Sequence, residues 1–587
     1  MEQILGHLGA AGSLRGALCQ DGAPPARGPT LRSDGSMHLV LRGHPTLDHE
    51  PFDADTTAAR ALDLYRVHGA QMLARLRGCF ALAVIDDESQ EALLAIDRMG
   101  VEGLCWNHGP HGLIFGTSAA AVAKQLTTTP KLNSQALFDF MLGHIVAAPD
   151  TAFAGVNKLL PGTYLEIKDG RVAVRRYWQP DFQRPPRPNL VALREAVLPT
   201  IEQAIKRSVV PGERTGSFLS GGLDSSTITG LLARNTATAS AFSVAFGVDE
   251  YNELAYAKTA VERFGCAHYV YEVVPEDVVE AIPKIATAYD QPFGNSSAVP
   301  TFCCARLAKN HGIDHLLAGD GGDELFGGNS RYVRHRIFEV YARLPRWLRS
   351  QILDPLAMRL DPEASAWPLR KFSSYVRQAH VPLPERFESW NLIYREGATN
   401  VFDAEFLLSV DPEYPLRRMR DVWESCPSRD LLDRMLWYDW KFTLSDNDLP
   451  KVSRMCELAG VRVSYPMLAE EVVDLSVRVP SEAKISGTEL RAFFKNATRD
   501  FLPEEIIKKE KHGFGLPFGV WLKTHKPLQE LVYANLESLR DRGILNRSFV
   551  DRVAREHRAG HASYYGYAIW DMVMLEQWLH RQSSTPA

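Results

Sequence analysis

Nowhere in its 587 residues does this sequence hold an apolar run near the ~20 residues that a bilayer-spanning helix needs. Cysteine is scarce as well. There are eight, with no Cys-x-x-Cys pair and no zinc-ligand spacing, and Cys303-Cys304 are simply adjacent. That excludes a disulfide framework and suits a reducing compartment, where cysteine serves as a small buried apolar residue. An excess of either charge is also missing, with a net charge of -5 and a pI of about 6.4. Such a balance exerts no global pull on nucleic acid or an anionic membrane and leaves room only for a local basic patch. The opening stretch MEQILGHLGAAGSLRGALC has Glu2 where a secretion signal wants positive charge, and its apolar residues are interrupted. The expectation is a cytoplasmic protein with no nucleic-acid partner and no membrane partner.

What is present divides into regions. Single cores stop growing beyond ~250–300 residues, so two to four domains are expected. Residues 1–180 hold short strand-like runs, among them MHLVLRG, CFALAVIDD, ALLAIDR, GLIFGTS, TYLEIKDG and RVAVRRYW. One stretch, TTAARALDLYRVHGAQMLARL, carries apolar residues at helix spacing. A proline-rich linker follows and is placed at 181–192. From 193 to 587 the pattern changes. Strands such as GSFLS, ASAFSVAFG, HYVYEVV and DHLLAGD alternate with helical stretches, which predicts a parallel sheet with crossover connections. Beyond about 331 the chain reads as helical and rich in Arg, Trp and Tyr. The fold class is α/β in both regions.

Two loops carry chemistry. In SFLSGGLDSSTITG, a strand runs into Ser220-Gly221-Gly222 and a helix starts at Asp224-Ser225-Ser226. Such a loop lies at the carboxyl end of the sheet. Glycines let the backbone approach a ligand, and the helix N-terminus offers N–H groups to an anion. No Gly-Lys-Ser/Thr follows, so this is not a Walker loop. A carboxylate beside phosphate requires an intervening cation, so Asp224 predicts Mg²⁺. The other reading is an Asp-Ser pair capping a helix. The second loop, LLAGDGGDELFGG, gathers Asp320, Asp323 and Glu324 among glycines. Acids this dense after a buried strand need a cation or a proton. A solvated acidic turn is the alternative, though the glycines favour close backbone approach.

As a set the motifs resemble the asparagine synthetase family of the ATP-pyrophosphatase superfamily. Ser220-Gly221-Gly222-Leu223-Asp224-Ser225 is similar to the pyrophosphate loop, and Gly319 to Gly328 looks like the second signature. The likeness continues through YDQPFGNSSAVPTF, LPKVSRM and LPEEIIKKEKHGFGLPFGVW, and reaches RLRGCFALAVIDD, GTSAAAV and LLPGTYLEI near the start. The resemblance implies an N-terminal glutaminase-type (Ntn-hydrolase-like) α+β sandwich and a C-terminal parallel-sheet synthetase domain with a helical extension. It implies ATP and Mg²⁺ as cofactors, with an acyl-adenylate made on a carboxylate and AMP displaced by an amine. By position it implies pyrophosphate contacts at Ser220, Gly221, Gly222, Asp224, Ser225, Ser226 and Gly319, with Mg²⁺ on Asp224 and Asp323. Val244 and Phe246 would lie against adenine. Asp320 sits near the reacting centre, Lys511 matches a lysine that stabilises charge building as AMP leaves, and Lys451 is a lesser candidate for a phosphate contact.

The first domain departs from the family. Its glutaminases begin Met-Cys and use that cysteine as nucleophile; here the chain begins Met1-Glu2 and the first cysteine is Cys19. Where the family has an Asn-Gly oxyanion segment the sequence reads Leu41-Arg42-Gly43-His44. An inactive glutaminase scaffold is expected. Three enzymes then fit: an ammonia-using asparagine synthetase, a β-lactam-forming synthetase, or a lasso peptide cyclase that joins an Asp or Glu side chain of a precursor peptide to its own N-terminus. A catalytically degenerate scaffold is the non-enzyme alternative. The Arg-, Trp- and Tyr-rich region 331–445 and three departures from the synthetase pattern (Ser453, Ser464 and Ala469) favour the cyclase. Those aromatics also suit a plain helical core. The partners expected are a precursor peptide and a leader-processing peptidase.

Overall fold

The computed structural model describes residues 4–8, 29–47, 53–110, 112–126, 129–185, 187–210, 212–360, 367–510, 513 and 515–584. Its first region stacks two antiparallel sheets. The six-stranded sheet runs in the order Arg171–Arg176, Thr163–Lys168, Glu91–Ile96, Phe80–Asp86, Met37–Gly43, Thr30–Asp34. The four-stranded sheet runs Leu5–Leu8, Gly112–Gly116, Cys105–Gly109, Asn157–Lys158. Side-chain alternation makes the layers. Ala81, Ala83 and Ile85 meet Leu8, Leu113 and Phe115 between the sheets. Leu82 and Val84, one residue out of phase, join Leu39 and Leu41 beneath Ala58 and Leu62 of the helix Ala54–His68. Both faces of the central strands are buried, so the runs 80–85 (FALAVI) and 92–96 (ALLAI) are apolar throughout.

Two helical expectations change here. The helix over 56–76 stops at His68, where Gly69 takes φ 55° and turns the chain into a 3₁₀ segment, Gly69–Ala74, and a short strand, Leu76–Arg77. Helices Ala119–Leu126 and Ser134–Gly143 were not anticipated. Their apolar side chains do not pack between the sheets. Val122, Phe138 and Phe140 share one core with Ile282, Trp570 and Trp578 of the second region. Phe138 lies 4.5 Å from Phe402 and Phe153 lies 5.9 Å from Trp578, ring centre to ring centre. The sheets of the first region end near residue 180, but its hydrophobic core continues into the second region.

An ion pair crosses the same junction, with His144 Nδ1 2.6 Å from Asp571 Oδ2. The Asp571 carboxylate raises the imidazole from 6.5 to about 9. A histidine raised on folding stabilises fully below its unfolded pKa and loses that contribution as pH rises through the folded value. The melting temperature is therefore expected to fall between pH 6.5 and about 9. His144→Asn should flatten that slope, measured by thermal unfolding across the window.

The second region confirms the parallel sheet. Its strands lie in the order Ala267–Val273, Ser240–Phe246, Thr215–Phe218, His315–Leu317, Arg462–Ser464, all parallel. Arg462–Ser464, only three residues long, gives no periodic signal in the sequence. The linker expected at 181–192 is shorter than drawn. Helix Leu190–Ser208 already begins inside it, with the Asn189 side chain accepting from Ala192 N at 3.1 Å. Between Ser330 and Ala459 the described residues are mostly helical, in short helices joined by turns, as the sequence suggested. No helix among the described residues is long and apolar enough to cross a membrane.

Candidate functional site

The sheet order fixes where a site can form. From the central strand Thr215–Phe218 the chain moves one way to Ser240–Phe246, and it returns to the other side at His315–Leu317. This is a topological switch point, where a crevice opens beyond the carboxyl ends of adjacent strands. The two glycine loops follow those two strands and meet in that crevice.

Their contact is close enough to demand glycine. Gly221 has φ +70°, and a Cβ there would lie 2.4 Å from Ala257 N. A Cβ on Gly319 would lie 2.9 Å from Ser225 N, and one on Gly322 2.3 Å from Asp224 Oδ1. The helix Leu223–Asn235 starts at Gly222 with no side chain capping it. The capping alternative for Asp224 and Ser225 is thereby removed. Ser225 Oγ instead sits 3.1 Å from Ser220 Oγ and accepts from Ser220 N at 3.2 Å, so both hydroxyls crown the loop.

Acidic side chains from the two loops converge on one cation. Arg491 Nη1 is 2.6 Å from Asp224 Oδ2 and 2.9 Å from Asp323 Oδ1. Arg491 is buried and holds φ 55°, a costly conformation for a residue other than glycine. Burial opposes its charge, but Asp224 and Asp323 hold the guanidinium above its ordinary value. Beside them, burial and the neighbouring Asp323 push the Glu324 carboxyl far up, toward the neutral acid. Two hard oxygen ligands that already share a cation fit Mg²⁺, which takes one or two carboxylates alongside phosphate. Among the described residues no group of three or more His, Cys, Asp or Glu gathers as a metal site.

These loops open into a cavity of about 420 Å³. Of the residues singled out from sequence, Ser220, Gly222, Asp224, Ser225, Val244, Phe246, Gly319, Asp320, Asp323 and Lys451 line it. Gly221 does not; it faces Ala257. Ser226 does not either, a correction to its expected place. It is fully buried, two residues along the helix from Asp224 and turned into the core. Lys511 lies outside the described residues. Lys451 Nζ contacts Asp448 Oδ1 at 2.7 Å. Against burial, Asp448 and then Asp320 hold its charge above the usual value. Sequence reasoning missed Arg491, Asp448 and Lys509. Lys509 Nζ reaches Glu253 at 2.9 Å and the Ser220 carbonyl at 3.5 Å. Lys509 lies within the quoted LPEEIIKKEKHGFGLPFGVW stretch without standing out there, and spacing could not reveal Arg491, 267 residues from Asp224.

A second cavity, about 620 Å³, lies between the two regions. Arg42, His44 and Cys79 line it from the first region, and Ser453, Ser464 and Ala469 from the second. One wall serves both cavities. On helix Leu449–Ala459, Lys451 and Val452 face the first, while Pro450 and Ser453 face the second. Leu468 lines the second and would be 2.2 Å from a Cβ on Gly321 of the acidic loop. Ser453 Oγ is 2.7 Å from Tyr465 Oη, and Ser464 Oγ is 2.9 Å from His315 Nε2. Cys79 and Cys105, the described cysteines of the first region, are poor nucleophiles. Burial lifts Cys105 to about 12 and Cys79 far above its ordinary value.

Arg491 permits a test without turnover. Arg491→Met leaves Asp224 and Asp323 facing each other without their shared cation, and losing one partner of a buried pair costs about 3–5 kcal/mol. The variant should melt lower than the parent protein, and Mn²⁺ alone, without nucleotide, should restore much of the loss. Thermal unfolding with and without Mn²⁺ checks this.

Comparison with known proteins agrees with this layout. Residues 196–580 match the asparagine synthase family, and residues 38–178 match the glutamine amidotransferase domain. The chain is 25% identical over 547 residues to Bacillus subtilis asparagine synthetase (glutamine-hydrolyzing) 1, covering 92% of this chain and 83% of that protein. It is 24% identical over 307 residues to Escherichia coli asparagine synthetase B (glutamine-hydrolyzing), covering 50% of each. The first region is thus an amidotransferase-type domain and the second a parallel-sheet synthase domain. With the synthase match spanning both glycine loops and more than half of its residues, the chain belongs to the asparagine synthase family.

Proposed function

We propose that this protein forms an amide bond by activating a carboxylate with ATP, and that the amine acceptor belongs to a peptide, so that the product is a macrolactam of the lasso type. In the 420 Å³ cavity, Ser220, Gly222 and Ser225 would donate to the pyrophosphate end of ATP, and Val244 and Phe246 would flank adenine. Asp224 and Asp323 would hold Mg²⁺, which when bound neutralises phosphate charge. Lys451 keeps a full charge beside Asp320 at the wall toward the second cavity. By family resemblance Lys511 stabilises charge as AMP leaves.

The observation that carries the peptide reading is the second chamber. At about 620 Å³ it far exceeds the roughly 30 Å³ of a water-sized nucleophile such as ammonia. It falls within the ~300–1,000 Å³ of pockets that hold larger ligands. The positions that depart from the synthetase pattern, Ser453, Ser464 and Ala469, all line it. Each is small and uncharged, which suits an extended acceptor more than the α-carboxylate and amine of free aspartate. A domain-wide likeness to asparagine synthetases supports a second reading, ammonia-dependent asparagine formation.

Exchange of labelled pyrophosphate into ATP tests the proposal. Exchange should depend on an Asp- or Glu-containing precursor peptide, sought among the short reading frames beside this gene, and not on free aspartate. Glutamine should yield no glutamate above background. Exchange with aspartate alone points to the second reading, and glutamate release would contradict the expectation that the first domain is inactive.

A further inference from the structure

The net charge of -5 conceals one segment of opposite character. Between residues 330 and 380 there are ten Lys and Arg against four Asp and Glu. In the structure, three helical stretches, Ser330–Ala342, Arg346–Arg359 and Trp367–Ala379, lean together over a small core of Tyr341, Ala357 and Val376. Both described acids of the segment are engaged internally. Glu339 binds Arg386 at 3.0 Å, and Asp354 pairs with His380 at 2.8 Å and accepts from Tyr341. Arg343, Arg346, Arg359, Arg370, Lys371 and Arg377 are exposed, and none is paired with a described carboxylate.

The same segment also exposes apolar side chains. Of the twenty exposed large hydrophobic residues among those described, eight fall within 337–369. They include Trp347 at 58% exposure, Trp367 at 61%, Ile352, Leu356, Met358 and Leu369. Isolated exposed apolar residues need no explanation, but this concentration does. They are interspersed with the arginines along the chain, and neither cavity described above is lined by a residue of this segment. Lys371 Nζ stacks 4.1 Å over Trp367, pairing a cation with an aromatic ring at the surface.

We propose that this three-helix segment docks the protein on an anionic lipid bilayer. Interfacial tryptophans and aliphatic side chains enter the headgroup boundary while flanking arginines meet anionic headgroups, an arrangement that a fluid, flat partner satisfies without a groove. A peptide partner would need a concave site to hold its side chains. The inference is independent of which acyl acceptor the enzyme uses.

Vesicle sedimentation of the full chain decides it. Vesicles of phosphatidylcholine and phosphatidylglycerol in equal parts should carry the protein down, with a blue shift in tryptophan emission. Binding should fall roughly tenfold or more with pure phosphatidylcholine, at high salt, or in Arg346→Glu with Arg370→Glu. Trp347→Ala with Trp367→Ala should lose binding while melting unchanged, because both rings are exposed. Equal binding to both vesicle types, or none to either, would overturn the proposal. So would a dimer in solution that Trp347→Glu breaks, because a second copy would then cover this face.

Discussion

Asp224→Asn and Asp323→Asn are each expected to lower AMP formation by on the order of 10³-fold or more, with little loss of folded protein. The two carboxylates come from separate loops and share the Arg491 guanidinium at 2.6 and 2.9 Å. An amide in either place keeps the shape but removes the charge that would hold Mg²⁺. Stability should survive because Arg491 retains its other carboxylate. The loss is then one charge-assisted hydrogen bond, about 1.5–3 kcal/mol. Near-normal turnover by both variants at saturating Mg²⁺ would mean that the metal site lies elsewhere.

Gly322→Ala is expected to be nearly as damaging, for a steric reason. The added Cβ would fall 2.3 Å from Asp224 Oδ1 and 2.4 Å from its Cγ. Asp224 is held through its Oδ2 by Arg491 at 2.6 Å, so relief must come from breaking that contact or moving one loop away from the other. Overpacking of this kind costs about 1–3 kcal/mol. The larger effect is on catalysis, where a displacement of ~1 Å can cost on the order of 10²-fold. Gly143→Ala is the control, since nothing lies within 4 Å of a Cβ there. Gly322→Ala should lose activity and Gly143→Ala should keep it, compared by AMP formation at matched folded fraction.

The glycine loops were legible because each packs chemistry into a few adjacent residues after a buried strand. Ser220, Asp224, Asp320 and Asp323 needed no partner from elsewhere to stand out. The parallel sheet was legible because its longer strands, rich in β-branched and aromatic residues, alternate with helical stretches along the chain. Arg491 and Asp448 were not, because their meaning arises only when distant segments fold onto the loops. Ser226 misled for the opposite reason. It belongs to the motif by adjacency, yet helical rotation turns it into the core. Strand Arg462–Ser464 is too short for periodicity, and helices Ala119–Leu126 and Ser134–Gly143 bury their apolar faces against the other region. The Arg-, Trp- and Tyr-rich character beyond residue 331 was visible in the sequence, but which of those side chains stay exposed was not, because that depends on how the helices pack.

The mass of the peptide product tests the central claim most directly. The full chain is incubated with ATP, Mg²⁺ and a leaderless Asp- or Glu-containing peptide from any short reading frame found beside its gene. The account predicts a product lighter by one water, with its N-terminal amine blocked, formed together with AMP and pyrophosphate. Unchanged peptide, together with efficient conversion of aspartate and ammonia to asparagine under the same conditions, would contradict it.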